Sequence, residues 1–341
     1  MKRTLTLLFA LCLLLSGCGN VAKPAQQQYT ATFLELFDTV TTIIGRSDSE
    51  ETFRRQSQAI RDDLERYHRL FDIYNSYEGL SNIKTINDNA GQAPVQVDRA
   101  IIDLLLDCKR YYALTGGKVN VAMGSVLQLW HIARSDSLRD PQNAWLPDAD
   151  ALEKAANHCS FDSIVIDEAA STVYISDPDT RLDVGAVAKG WATQRVAAAA
   201  PAGMLISVGG NVCATGPKTQ DGTPWVIGIQ NPDDPERNLH SLYLTQGSVV
   251  TSGDYQRFYM VDGQAYHHII DPATRMPASR WRSVSVVCQD SGLADVLSTG
   301  LFLMDLEDGK ALAQKCGADV LWVDLSGNEF MTAGLESRLR N

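Results

Sequence analysis

From residue 164 onward the chain is written in short β-branched runs divided by turn residues, and this texture limits its architecture more than any other feature. Residues 164–167 and 172–176 alternate around an acidic turn and predict a hairpin. Residues 181–183, 204–208, 225–230, 241–244, 248–252, 257–261 and 283–288 read as further strands. Residues 320–324 and 329–332 close a second hairpin around Ser326-Gly327-Asn328. Helical spacing intervenes from the turn at Gly185 to about Pro201, then over about 293–304 and 307–316. Antiparallel strands interrupted by a few helices predict an α+β fold with a mainly antiparallel sheet, not a doubly wound parallel one.

The first 160 residues are more helical. Residues 33–44 predict one strand, rich in β-branching at Thr39, Val40, Thr41, Thr42 and Ile43. Phe53, Ile60, Leu64, Tyr67 and Phe71 recur at helical spacing after the capping-type Ser47-Asp48-Ser49. Residues 81–89 read as a polar, turn-rich loop. Asp98 caps a helix running through Tyr112 that Gly116-Gly117 terminates. Residues 120–130 give an apolar run, Gly124 and a short helix; 134–146 read as surface and 149–157 as a small helix. No linker or repeat divides the chain.

At the N-terminus, Lys2 and Arg3 precede an apolar run from Leu5 to Leu15. It is too short to span a bilayer and has the length of a secretory h-region. It ends in Leu15-Ser16-Gly17-Cys18, the form of a bacterial lipobox. The expectation is a lipoprotein signal over 1–17, a lipid on Cys18, a tether over 18–30 and one domain over 31–341. A plain signal peptide with a chance cysteine is the simpler alternative. Cleavage removes Lys2 and Arg3 and no acid, so the net charge moves from −11 to −13. Such acidity argues against nucleic acid as a partner. An anionic ligand would need local lysine, backbone N–H groups or a metal. Cys108, Cys159, Cys213, Cys288 and Cys316 are scattered and odd in number, which suits neither a disulfide framework nor a zinc site.

Three stretches carry chemistry. In Leu182-Asp183-Val184-Gly185-Ala186-Val187-Ala188-Lys189-Gly190-Trp191, a helix starts after the glycine turn and places Lys189 in its first turn. Helix N-termini favour anions, so a cation there implies a shared phosphate or, more simply, a solvated lysine. In Ala294-Asp295-Val296-Leu297-Ser298-Thr299-Gly300, helical spacing puts Asp295, Ser298 and Thr299 on one face. They are hard oxygen donors of the kind Mg²⁺ takes, unless Asp295 merely favours a helix N-terminus. Gly300 would let something approach. In Tyr266-His267-His268-Ile269-Ile270-Asp271-Pro272, extended backbone sends the two histidines to opposite faces. His268 with Asp271 then suggests a base and its orienting group.

In their order and spacing these pieces resemble the ApbE family, the bacterial FAD-dependent protein FMN transferases. The resemblance runs from about Phe33 to Gly334, through residues 71–87, 183–190, 208–211, 251–255, 268–272 and 294–299. It implies an α+β architecture similar to the T-fold (tunnelling fold). It also implies an enzyme that moves FMN from FAD to a Thr or Ser hydroxyl of an exported target, with Mg²⁺, releasing AMP. Carried over by motif, Asp183 and Lys189 contact FAD. The Ala186 carbonyl ligates Mg²⁺ with Asp295, Ser298 or its neighbourhood, and Thr299. Tyr74 and Phe37 meet the flavin side, while Ala122, Met123, Gly124 and Ile269 line the FAD pocket. His268 takes the place of the family's proposed base. Many members are exported lipoproteins, so the implied location is the bacterial envelope, lipid-anchored on the extracytoplasmic side. Arg275 stands where many members have glycine, Asn120 replaces a common aspartate and Phe37 a common methionine; none touches the implied metal set. An FAD pyrophosphatase, with water as acceptor, and a surface FAD-binding lipoprotein without turnover are the alternatives.

Overall fold

The computed structural model describes residues 26–340, so the predicted signal sequence and Cys18 lie outside the described residues. Its centre is an eight-stranded, wholly antiparallel sheet. In spatial order the strands are Gln27–Phe33, Thr41–Ser47, Met204–Val208, Asn211–Ala214, Gly247–Gly253, Trp281–Cys288, Asp319–Asp324 and Glu329–Met331. Eight helices matter to its packing. They are α1 (Glu50–Phe71), α2 (Ile83–Asp88), α3 (Arg99–Leu114), α4 (Gly124–Arg139), α5 (Ala149–Ala156), α6 (Ala188–Ala199), α7 (Ser291–Phe302) and α8 (Leu306–Cys316). The fold is α+β, as the strand texture predicts. Among the described residues no helix is long and apolar enough to cross a membrane.

Strand alternation divides the core between the two sheet faces. Val250, Val284, Val286, Val320 and Trp322 face α7 and α8, and Ile43, Met204 and Ile206 face α1 and α6. Their sequence neighbours Val249, Val287, Leu321 and Val323 face the other way, onto the hairpin Trp225–Gln230/Asn238–Leu244. A third apolar body joins α1, α2 and α3 to the small sheet of Val95–Gln96, Thr172–Ile175 and Ile164–Asp167.

Several boundaries differ from the sequence reading. The strand expected over 33–44 is a hairpin broken at Leu36–Asp38, where Phe37 and Asp38 take φ of 54° and 53°. Phe37 N–H donates to His68 Nδ1 at 3.2 Å, so the chain leaves the extended region to reach α1. The edge strand begins at Gln27, which takes the last residues of the expected tether into the sheet, with Tyr29 opposite Gly45. The expected loop over 81–89 contains α2: Asn82 and Thr85 form a capping box, and Ile83 and Ile86 are buried. Helix α4 continues to Arg139, through the stretch read as surface. Residues 181–183 form no strand; Arg181 bridges Met123, and Asp183 N–H donates to the Val121 carbonyl at 2.8 Å.

Candidate active site

Element ends from both halves of the chain converge on one cavity of about 680 Å³. Phe37, Tyr74, Met123, Asp183, Ala186, Lys189, His268, Ile269, Asp295 and Thr299 all line it. Three of the expected residues do not. Ala122 is buried in the core, and Gly124 packs against backbone, its N–H donating to the Arg181 carbonyl at 2.9 Å. A Cβ on Gly124 would stand 2.4 Å from that oxygen. Ser298 is fully buried behind the wall; its Oγ lies 2.8 Å from the Asp295 carbonyl and 2.8 Å from Ser252 Oγ. The cavity hydroxyl next to Thr299 is instead Ser252, at 3.4 Å, brought in from the end of strand Gly247–Gly253. Gly300 admits a protein neighbour, Thr115, rather than a ligand.

One wall is an oxygen set. Helices α6 and α7 cross at Gly190, where a Cβ would meet Asp295 Cβ and the Ser291 carbonyl at 2.4 Å each. That contact lets Gly190 N–H donate to Asp295 Oδ2 at 2.8 Å. In a regular helix this N–H would serve the Ala186 carbonyl four residues back. Ala186 O consequently accepts no hydrogen bond among the described residues. A free carbonyl, a buried carboxylate with one oxygen uncommitted and the Thr299 hydroxyl thus share the cavity. The donor chemistry fits Mg²⁺, which takes few protein oxygens and keeps waters or phosphate oxygens. Lys189 lies in the first turn of α6, its Nζ 3.3 Å from the Gly185 carbonyl, and Asp183 Oδ1 accepts Gly185 N–H at 2.9 Å.

The same cavity is lined by His268. The adjacent histidines do point apart. His267 is buried, with Nε2 2.7 Å from the Ala278 carbonyl and Nδ1 accepting Ile269 N–H. His268 turns to the cavity, and its Nδ1 lies 3.2 Å from the Arg257 carbonyl. A carbonyl only accepts, so Nδ1 carries the proton and Nε2 keeps the lone pair. Asp271 does not orient it. That carboxylate accepts Ala273 N–H at 2.9 Å in the proline turn and pairs with Lys118 at 3.3 Å. Burial, then Arg257, His267, Lys189 and Arg134, push His268 down to about 3.

Cavity residues that escaped the sequence reading include His131, Arg134, Arg257, His68 and Lys118. The first two share a face of α4, one turn apart, where a plain helical stretch gave no signal beyond that spacing. Arg257 belonged to a strand candidate whose exposed positions were unassigned. Neither arginine forms a salt bridge among the described residues. Burial and Arg257 both lower the Arg134 pKa from its ordinary value.

The chain matches the model of the ApbE family over residues 37–322. It is 33% identical over 279 residues to the FAD:protein FMN transferase of Treponema pallidum (strain Nichols), covering 76% of this chain and 75% of the relative. With the FAD:protein FMN transferase of Escherichia coli (strain K12) it shares 25% identity over 341 residues, 95% of this chain and 93% of the relative. Among solved structures, the ApbE protein of Thermotoga maritima superposes with a TM-score of 0.82 at 28% identity, covering 92% of this chain and all of that one.

Proposed function

The chain belongs to the ApbE family of transferases, and from that premise we propose that it moves FMN from FAD to a Thr or Ser hydroxyl of an exported acceptor protein, with Mg²⁺, releasing AMP. The observation that carries this reading is the crossing of α6 and α7. There Asp295 takes the Gly190 N–H and leaves the Ala186 carbonyl bare, in the same cavity as Thr299 and His268. The name FAD:protein FMN transferase recurs among the relatives.

Asp295, Thr299 and the Ala186 carbonyl would hold the ion. When bound it supplies Lewis-acid stabilisation of the phosphate oxygens. Lys189 and Asp183 bind and orient the donor around it, and Lys189 offsets negative charge on the pyrophosphate. His268 Nε2 takes the proton of the acceptor hydroxyl. The hydroxyl oxygen bonds to the FMN phosphorus as the bond from that phosphorus to the AMP oxygen breaks, and the electron pair leaves with AMP. We further propose that the protein works from the extracytoplasmic side of a bacterial membrane, held by a lipid on Cys18; Leu15-Ser16-Gly17-Cys18 supports this.

Incubation with FAD, Mg²⁺ and exported proteins of a host should yield a fluorescent flavin band that survives denaturation, and chelation should abolish it. Free FMN and AMP with no protein-bound flavin would replace the transfer reading by hydrolysis. FAD bound without turnover would leave only a binding protein.

A further inference from the structure

Helix α4 brings His131 to the cavity, a side chain that the transfer chemistry does not use. His131 Nδ1 lies 3.0 Å from the Tyr74 hydroxyl, and its Nε2 lies 3.8 Å from Asp183 Oδ2. The Tyr74 backbone is fixed at the opposite end. Its N–H donates to Asp72 Oδ1 at 2.6 Å, and the same carboxylate also takes Asn75 N–H, Asn75 Nδ2 and the Tyr77 hydroxyl. Tyr74 is therefore pinned at both backbone and hydroxyl while the residue stays 56% exposed at the cavity wall. An exposed tyrosine normally samples several rotamers, and ordering it on binding costs about 0.5–1.5 kcal/mol of affinity. A ring held in advance with its face open is a platform for a planar ligand.

We propose that His131 is a positioning residue that sets the Tyr74 ring to stack on an aromatic ring of the FAD donor, an inference that rests on the transfer reading above. The proton inventory agrees with the geometry. A phenol O–H donating to Nδ1 leaves the imidazole proton on Nε2, on the side of the Asp183 carboxylate, whose Oδ2 at 3.8 Å is an electrostatic neighbour rather than a hydrogen-bond partner. Burial, Arg134 and Arg257 keep the ring in this neutral form, against the pull of Asp183. Asp183 itself is anchored through Oδ1 by Gly185 N–H at 2.9 Å. Stacking on an aromatic side chain is worth about 1–3 kcal/mol per base, so losing the set pose should show in binding.

The test is donor binding and steady-state kinetics of the full chain. His131→Ala should raise the Kd and KM for FAD about five- to tenfold, the worth of one net hydrogen bond, with kcat changed less than about twofold. Tyr74→Phe, which removes only the hydroxyl, should do the same, and the double variant should be no worse than either single one. His131→Asn places an amide near the Nδ1 position and should restore most of the affinity; His131→Gln, which reaches toward the Nε2 position, should not. Titration with FMN and with AMP separately identifies the stacked ring, since only the product that carries it should lose affinity. An unchanged Kd in Tyr74→Phe overturns the proposal even if His131→Ala folds poorly. So do additive effects in the double variant, or rescue by Gln and not Asn. Failure of the unaltered chain to bind FAD overturns the transfer reading, and this proposal with it.

Discussion

Asp295 uses its two carboxylate oxygens differently. Oδ2 is spent on Gly190 N–H at 2.8 Å, inside the core, and the other oxygen remains for the cavity. Asp295→Asn separates the two roles, because an amide oxygen still accepts that N–H while the charge is gone. We expect Tm to stay within about 2 °C, under one kcal/mol. Turnover should fall about a hundredfold at any Mg²⁺ concentration, as several kcal/mol of ionic stabilisation are lost. Normal turnover and Mg²⁺ dependence would remove Asp295 from the metal set. His268→Ala should spare FAD affinity and slow single-turnover transfer about 10²- to 10⁴-fold, the range of a general base; a change confined to FAD affinity would assign His268 to binding instead. The cavity positions of Asp295, Lys189 and His268 were legible in the sequence because an acid with hydroxyls on one helix face, a cation at a helix start and paired histidines are each locally unusual. Ser298 was misplaced by the same logic. Helical spacing puts it beside Asp295, but only tertiary packing decides that Ser252, from a strand 46 residues away, closes the cavity wall in front of it.

At the scale of elements, the site depends on how closely α6 and α7 approach. Gly190→Ala would set a Cβ 2.4 Å from both Asp295 Cβ and the Ser291 carbonyl, neither of them a flexible side-chain tip. The helices must part, at a cost of about 1–3 kcal/mol, on the order of 2–10 °C in Tm, and Asp295 loses its N–H partner. Gly300→Ala is the control on α7. Its new methyl meets Thr115 Cγ2 at 3.1 Å, a side-chain contact that can yield, while the helix gains about 1 kcal/mol of propensity. Melting curves should show a clear drop for Gly190→Ala and little change for Gly300→Ala; equal effects would mean the crossing does not hold the site. Elements with their own caps were readable, Ser49 before α1 and Asp98 before α3; the start of α6 near Lys189, where Val187 offers no side-chain cap, was readable from the glycine turn before it. The break at Phe37 and Asp38 was not, because the positive φ of two non-glycine residues is imposed by His68 from α1. The Asn82–Thr85 capping box was present in the sequence, yet the polar residues around it masked the two buried isoleucines.

Over the whole molecule, an acidic chain of net charge −11 gathers the cations Lys118, Arg134, Lys189 and Arg257 around one cavity, among the carboxylates Asp38, Asp72, Asp183 and Asp295. Composition gives the need for local cations; only the fold shows that Arg134 on α4 and Arg257, just before strand Phe258–Val261, help to meet it. The arrangement has a consequence for stability against pH. His131, His267 and His268 all have pKa values lowered in the folded protein, each chiefly by burial, and His268 also by its cationic neighbours. Unfolded, each would titrate near about 6.5. Below that pH the unfolded chain binds protons that the folded chain refuses, so stability must fall as pH falls from about 7 toward 4. Asp254, whose pKa burial raises, acts in the opposite sense, above the ordinary carboxylate range. Asp72 and Asp98, with lowered values, add to the loss only once the pH drops below that range. Between pH 7 and 5 the histidines therefore set the slope, and Tm should decline steadily. Bound FAD should lessen the decline, since its phosphates offset the cations that oppose protonation of His268. A Tm that stays flat or rises toward pH 5 would mean that these imidazoles titrate freely, and that the positive charge is not focused on the cavity.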